Sequence, residues 1–136
     1  MRAAAAALVA VAAIQWVPVR RDNPPVEFEV GAPDEVHVIL RRACYDCHSN
    51  ETRWPWYSRV APVSWLVARD VTRGREDLNF SDWPVFDFEA QEHALADIAK
   101  QIDRRRMPLP IYVAMHPHAR LSEAERSTLL DWARVE

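Results

Sequence analysis

The sequence feature that most restricts the fold is the pentapeptide Cys44-Tyr45-Asp46-Cys47-His48, which holds the only two cysteines in 136 residues. Thiols at this spacing lie about one helical turn apart, and a histidine directly after the second can turn its imidazole toward the same place. The pattern C-x-x-C-H is that of covalent haem c attachment, in which the thiols add to two vinyl groups and the histidine binds iron. We therefore predict one covalent haem c, with Cys44 and Cys47 as attachment residues and His48 as the proximal iron ligand.

Two other uses of a C-x-x-C pair have less support. A thioredoxin-like redox pair needs a βαβ context, and no strand-like alternation surrounds the motif. A zinc site needs further ligands, and His116-Pro117-His118 lacks the H-x₃₋₅-H spacing of common zinc fingers. Both stay as alternatives to haem.

The N-terminal segment 1–21 predicts export. One cation, Arg2, precedes an apolar run at 3–19, at the short limit for a membrane span and slightly long for a signal sequence. Residues 10–12 (Ala-Val-Ala) offer a cleavage site, whereas Trp16 before two arginines is typical of an interfacial anchor. We predict a signal sequence or a retained membrane anchor, with the domain on the periplasmic side of the bacterial inner membrane.

The charge balance argues against nucleic acid as a partner. Without the three arginines of segment 1–21, 14 Lys and Arg remain against 20 Asp and Glu. The phosphate backbone of a nucleic acid attracts proteins that have an excess of Lys and Arg over Asp and Glu. An acidic surface instead permits docking to a basic patch on a redox protein, which is the partner we predict.

The rest of the chain predicts an extended linker at 22–32 and one domain at 33–136. A first helix opens at Pro33, with acids in its first turn. Its apolar stripe comprises Val36, Ile39, Leu40, Ala43 and Cys47. Because the stripe continues into the haem motif, we expect this one helix to deliver both cysteines.

Three further helices complete the prediction. They cover 62–74, which ends at Gly74, and 88–105, followed by one that opens at the capping box Ser122-Glu123-Ala124-Glu125. Aromatic and proline-rich loops at 53–58 and 78–86 separate them. The predicted fold class is all-α, a cytochrome c-like domain with long loops around one haem, preceded by an apolar N-terminal helix.

Met107 is the predicted distal iron ligand. Pro108 denies Met107 helical geometry and Pro110 stiffens the next turn, so that Met107 is held on a rigid loop. A thioether ligand raises the reduction potential, as an electron carrier requires. A core-filling methionine is the other interpretation. The remaining alternatives are Met115, His116 or His118 as ligand, or an open sixth site.

The haem pocket needs donors for the two propionates, which must be hydrogen-bonded if they are buried. Indole, phenol and guanidinium groups can all donate. The candidates are Trp54, Trp56, Tyr57, Trp65 and Arg75. Ordinary aromatic packing, with an exposed Arg75, is the alternative.

Over nearly its whole length the chain resembles the small bacterial haem-binding domain proteins of cytochrome c type. The strings that carry the resemblance lie at 15–19, 23–26, 44–50, 54–58, 61–66, 78–83, 107–112, 116–117 and 121–125. The resemblance implies covalent haem c at Cys44 and Cys47, iron on His48 and an exported, usually membrane-tethered protein. Such domains also accompany haem peroxidase domains, which implies electron delivery to an oxidoreductase. His118 lies outside the matched pattern.

Together these features predict a monohaem c-type cytochrome that transfers single electrons and is not an enzyme. The alternative is a haem c protein with an open or labile sixth site, acting in small-gas sensing or peroxide chemistry. We expect the partner to be a redox protein, such as a haem peroxidase.

Overall fold

The computed structural model describes residues 2–134, so Met1, Val135 and Glu136, at the ends of the predicted anchor and domain, lie outside the described residues. The helices are α1 Arg2–Ile14, α2 Asp34–Ala43, α3 Tyr45–His48, α4 Val63–Asp77, α5 Phe88–Asp103, α6 Pro110–Met115 and α7 Glu123–Arg134. Short 3₁₀ turns lie at Trp56–Arg59 and Pro117–Ala119. Residues 2–134 contain no strand beyond an isolated bridge between Phe28 and Asp82. The all-α class is therefore confirmed.

Helix α1 contains no buried residue. No helix within residues 2–134 is both long and apolar enough to cross a membrane. Directly after α1, the Gln15 side chain donates to the Ala61 carbonyl at 3.2 Å and accepts from the Ala61 N–H at 2.9 Å. This pair of hydrogen bonds ties the end of α1 to the segment before α4.

Segment 22–32 is extended, as the two adjacent prolines suggest, and it packs on the domain. The Asn50 side chain, just after the haem motif, donates to the Pro25 carbonyl at 2.7 Å. Val30 is 2% exposed and belongs to the core. The segment is therefore a packed strap rather than a free spacer, and the domain boundary at residue 33 stays a prediction.

The predicted single helix carrying both cysteines is wrong. Its apolar residues Val36, Ile39, Leu40 and Ala43 are buried as expected. However, α2 ends at Ala43 because Cys44 leaves the helical region, with φ −126°, and α3 begins a new turn. The break accompanies burial of Tyr45, whose ring stacks on Phe80 at 5.3 Å between centroids. Cys44 thus occupies the junction and Cys47 the short helix.

The predicted end of a helix at Gly74 is also wrong, since α4 continues to Asp77. Gly74 is needed for a different reason. A Cβ placed on it would lie 2.5 Å from the Cys47 carbonyl oxygen. The backbones of α3 and α4 therefore touch at Gly74, where no side chain fits.

Helix α5 begins as the sequence predicts and ends two residues early. The Asp87 carboxylate accepts from the Ala90 N–H at 3.0 Å, which caps the first turn. Arg105 has φ 53°, in the left-handed region, so the chain turns sharply before Met107. Ile98 and Ile102 of α5 are buried in the core.

Helix α6, Pro110–Met115, lies in a part of the chain for which the sequence predicts no element. Pro110 is in its first turn, where a missing N–H costs no helical hydrogen bond. Met107 itself is non-helical, as predicted, and the helix begins at Pro110.

The capping box that opens α7 is confirmed. The Ser122 N–H donates to Glu125 Oε2 at 2.8 Å, and the Glu125 N–H donates to Ser122 Oγ at 3.2 Å. Glu125 also pairs with Arg42 of α2. The backbone hydrogen bond from Ser122, followed by the Arg42 charge, holds the pKa of Glu125 below its usual value.

Gly74→Ala should lower the free energy of unfolding by about 1–3 kcal/mol, because two backbones must separate to admit the methyl group. Gly31→Ala is the matched control, since a Cβ there meets nothing within 4 Å. The control should change stability by less than about 1 kcal/mol. Urea unfolding followed by circular dichroism measures both, and equal losses would contradict the close approach at Gly74.

Glu125→Gln should destabilise the protein at neutral pH and less at acid pH. Because the pKa of Glu125 is lower in the folded state, its carboxylate stabilises the fold above the unfolded-state pKa. That contribution is lost as the pH falls through the folded-state pKa. Unfolding curves at several pH values, with Glu92→Gln as an exposed control, test this. A pH-independent difference between wild type and Glu125→Gln would refute it.

Candidate functional site

Both cysteines, His48 and Met107 line one cleft of about 170 Å³. The junction of α2 and α3 forms one wall, α4 a second, and the segment 107–112 a third. The other lining residues are Ala43, Asp70, Arg73, Gly74, Asp77, Pro108, Leu109 and Tyr112. The fold thus brings Met107 to the haem motif across about 60 residues of sequence.

His48 is oriented by backbone carbonyls. Its Nδ1 lies 2.8 Å from the Gly74 oxygen and 3.1 Å from the Leu78 oxygen. Because a carbonyl can only accept, Nδ1 carries the proton and Nε2 keeps its lone pair. Burial lowers the pKa of His48, which favours the neutral imidazole. The residue therefore has the tautomer and charge that a metal ligand requires.

The two thiols are protonated at neutral pH. Burial raises the pKa of Cys44 to about 12 and that of Cys47 to about 11, with nearby negative charge acting in the same direction. Redox-active C-x-x-C pairs show lowered thiol pKa values instead. Within residues 2–134, no three or more His, Cys, Asp or Glu side chains cluster as metal ligands. These observations give no further support to a redox pair or a zinc site.

The rival distal ligands do not line the cleft. The His116 ring stacks on Tyr112 at 4.3 Å, and its Nε2 lies 3.1 Å from the Tyr57 hydroxyl. Met115 is 56% exposed. Of the candidates weighed from the sequence, Met107 alone is placed beside His48 and the cysteines.

A hydrogen bond joins the haem motif to α6. The Tyr112 hydroxyl donates to Asp46 Oδ2 at 2.7 Å, and Asp46 lies between the two cysteines. Burial and the neighbouring carboxylate raise the pKa of Tyr112, so that its hydroxyl remains a donor. This contact fixes the segment that follows Met107 against the motif.

The predicted propionate donors Trp54, Trp56, Tyr57, Trp65 and Arg75 are not among the residues that line the cleft. Their role at the haem stays a prediction. The Trp54 indole donates to Asn23 Oδ1 at 3.2 Å. Trp56 is 76% exposed and Trp65 is 38% exposed. Trp56 lies in the 3₁₀ turn and Trp65 in the first turn of α4, both exposed, whereas Trp54 is half-buried.

Arg75 is a structural clamp. Its guanidinium donates to the carbonyls of Ser49 at 2.8 Å and Asp22 at 3.0 Å. It also donates to Asn23 Oδ1 at 3.0 Å and to Thr52 Oγ1 at 2.9 Å. Only 14% of the side chain is exposed. These partners hold Arg75 between the N-terminal strap and the loop after the motif.

Sequence reasoning missed three charged residues of the cleft, Asp70, Arg73 and Asp77. Together with Gly74 they occupy positions i, i+3, i+4 and i+7, which lie on one face of a helix. This spacing is the sequence pattern from which they could have been predicted. Arg73 is exposed and is the cationic residue among those that line the cleft. It is therefore a better-placed donor for an anionic group than Arg75.

The residues of the cleft fit haem c in their chemistry. The imidazole Nε2 is available, two thiols stand at the motif, and Ala43, Pro108 and Leu109 supply apolar walls. The volume of about 170 Å³ is below the roughly 300–1,000 Å³ of typical ligand pockets. The cleft therefore encloses only part of a ligand as large as haem.

Comparison with known proteins gives a match to a protein family. A family model described as a haem-binding domain matches residues 9–135. No curated protein and no solved structure matches the chain. The matched range includes the N-terminal strap, the whole cleft and all of α7.

Tyr112→Phe should lower the free energy of unfolding by about 1.5–3 kcal/mol, because it removes a hydrogen bond to a charged group. Amide hydrogen exchange should quicken at 44–48 and 107–112, the two segments that the bond joins. Tyr57→Phe is the control, since it removes a hydroxyl that contacts His116 rather than the motif. If both variants had the same effect at 44–48, the proposed tie would be wrong.

Proposed function

The chain belongs to the haem-binding domain family, and we propose that it is a monohaem c-type cytochrome that transfers single electrons. Cys44 and Cys47 hold the haem, His48 is the proximal ligand and Met107 the distal one. The haem supplies the one-electron chemistry, alternating between ferric and ferrous iron. The protein supplies attachment, orientation and partial exclusion of water.

The observation that carries this proposal is the meeting of His48 and Met107 in the cleft that the cysteines line. Nδ1 of His48 donates to two backbone carbonyls, so that Nε2 remains available to bind iron. Met107 reaches the cleft from a turn whose geometry is set by Arg105. A histidine and a methionine are the axial pair of electron-carrying cytochromes c.

Rigidity of the Met107 segment supports a carrier. The Tyr112–Asp46 bond anchors α6, which follows directly after Pro108 and Leu109. A ligand held by a fixed segment keeps its position in both oxidation states. Electron transfer then needs little rearrangement of the protein.

The alternative function is a labile sixth site that binds small gases or peroxide. The charged residues that line the cleft support it. Asp70, Arg73 and Asp77 line the cleft beside the proposed ligands. Polar side chains there would suit a small polar ligand better than a sealed electron-transfer site. The two functions differ in whether Met107 blocks the iron.

We place the protein at the periplasmic side of the bacterial inner membrane, attached or exported through segment 1–21. Its partner in this proposal is a redox protein, such as a haem peroxidase, that presents a basic patch. The acidic balance of the chain supports such docking, since 20 acids stand against 17 cations. Nucleic acid has no role in the proposal.

Absorption spectra of the protein, produced with haem-maturation machinery, test the proposal. A low-spin reduced spectrum, a methionine–iron charge-transfer band in the oxidised protein and no response to carbon monoxide are expected. A spectrum that responds to carbon monoxide would favour the labile-site alternative. Absence of haem after production in a host able to attach it would refute both.

Met107→Ala should abolish the charge-transfer band and allow carbon monoxide to bind. The reduction potential should fall by more than about 59 mV, which corresponds to a tenfold loss of preference for ferrous iron. Met115→Ala is the matched control, because Met115 is exposed and does not line the cleft. Unchanged spectra and potential in Met107→Ala would show that another group holds the sixth position.

A further inference from the structure

We propose that residues 52–69, here called the basic aromatic surface, form a second membrane contact that lies on an anionic lipid bilayer beside segment 1–21. The proposal rests on the membrane attachment given above, and it adds where the domain touches the bilayer. It also accounts for the tryptophans that do not line the haem cleft.

The composition of the basic aromatic surface is that of a membrane interface. It holds three arginines, three tryptophans and one tyrosine, with no Asp or Glu. Tryptophan and tyrosine favour the boundary between headgroups and acyl chains, and arginine attracts anionic headgroups. The same residue types would be unusual for a surface exposed only to water.

Its apolar side chains are exposed in the structure. The large ones are Trp56 at 76%, Leu66 at 48%, Val60 at 45%, Val63 at 41% and Trp65 at 38%. Scattered exposed apolar residues need no explanation, whereas five within eleven residues indicate a contact surface.

The basic aromatic surface adjoins the N-terminal segment. Gln15 exchanges two hydrogen bonds with Ala61, and Arg21 donates to the Ser58 carbonyl at 3.1 Å. Helix α1 is apolar with no buried residue, and Trp16 is 88% exposed. An apolar helix without protein cover, fixed beside a basic aromatic segment, indicates that lipid covers both.

The charges of the chain are segregated in the same way. Segments 1–21 and 52–69 together hold six of the 17 Lys and Arg residues and none of the 20 acids. The rest of the chain has 11 cations against 20 acids. An anionic bilayer attracts the first part and repels the second, so it orients the domain.

Arg53 and Arg59 are the cations best placed to meet headgroups. Arg69 is already paired with Asp70 at 2.8 Å. Arg53 and Arg59 are exposed and have no ion pair within the described part of the chain. Their charge is available to anionic lipid.

Helix α4 joins this surface to the haem cleft. Its first residue, Val63, lies in the basic aromatic surface, and Arg73 lines the cleft. Ten helical residues span about 15 Å. Contact at 52–69 would therefore hold the cleft within about 15 Å of the lipid, measured along α4.

Photolabelling of the full-length haem-loaded protein tests the proposal. The vesicles are phosphatidylcholine with or without phosphatidylglycerol, each carrying a photoactivatable lipid, and labelled peptides are mapped by mass spectrometry. We expect label at both 1–21 and 52–69 on the anionic vesicles. Label at 52–69 should be several-fold lower on neutral vesicles. Peptide 84–95 is the internal control, since Phe86 and Phe88 are 86% and 79% exposed.

Charge reversal provides the second test. Arg53→Glu with Arg59→Glu should lower label at 52–69 several-fold and leave label at 1–21 unchanged. Arg104→Glu with Arg120→Glu is the matched control, since both arginines are exposed and lie outside the proposed contact. The control should label as the wild type does.

The outcomes separate this proposal from the one it rests on. Label at 1–21 alone would overturn the second contact and leave membrane attachment intact. Label at 52–69 alone would support the contact and remove the anchor role of segment 1–21. Label at neither would refute both, and equal label at 84–95 would show that contact with lipid is non-specific and overturn the proposal.

Discussion

The close approach of α3 and α4 at Gly74 is the contact on which the candidate site depends. The backbone around Gly74 is close enough to Cys47 that a single methyl group does not fit. At that distance the Gly74 carbonyl also reaches His48 Nδ1. The same contact therefore packs two helices, selects the tautomer of His48 and fixes the direction of its Nε2 atom. Separating the helices would disturb all three at once.

Much of the fold follows from local patterns in the sequence. The apolar stripe of α2 and the capping box of α7 are local signals, and both are confirmed. The predicted helix boundaries are wrong where a residue contacts a part of the chain that is distant in sequence. Glycine often ends a helix, but Gly74 lies within α4 and allows its backbone to contact the backbone of α3. Cys44 interrupts a helix whose apolar stripe continues, while Tyr45 packs on Phe80 from another part of the chain.

The candidate site divides in a similar way. The haem motif is contiguous, so its residues can be named from the sequence, and the prolines around Met107 mark that residue as constrained. Donor chemistry alone does not say which direction a side chain faces. Arg75 and Arg73 stand two positions apart on α4, and the helix turns the first toward the strap and the second toward the cleft. Once Gly74 is known to lie on the face of α4 that contacts α3, the 3.6-residue repeat of the helix predicts the directions of Arg73 and Arg75.

The clamp made by Arg75 has a consequence for processing of the N-terminus. Its partners Asp22 and Asn23 lie upstream of the first domain helix, so removal of the strap would leave a largely buried guanidinium without half of its acceptors. The possible cleavage site at 10–12 lies before the strap and before Gln15. A mature chain trimmed there would lose most of α1 and still keep the strap, the Gln15–Ala61 contact and the clamp. Loss of residues 1–12 would therefore leave Arg75 with all four of its hydrogen-bond acceptors.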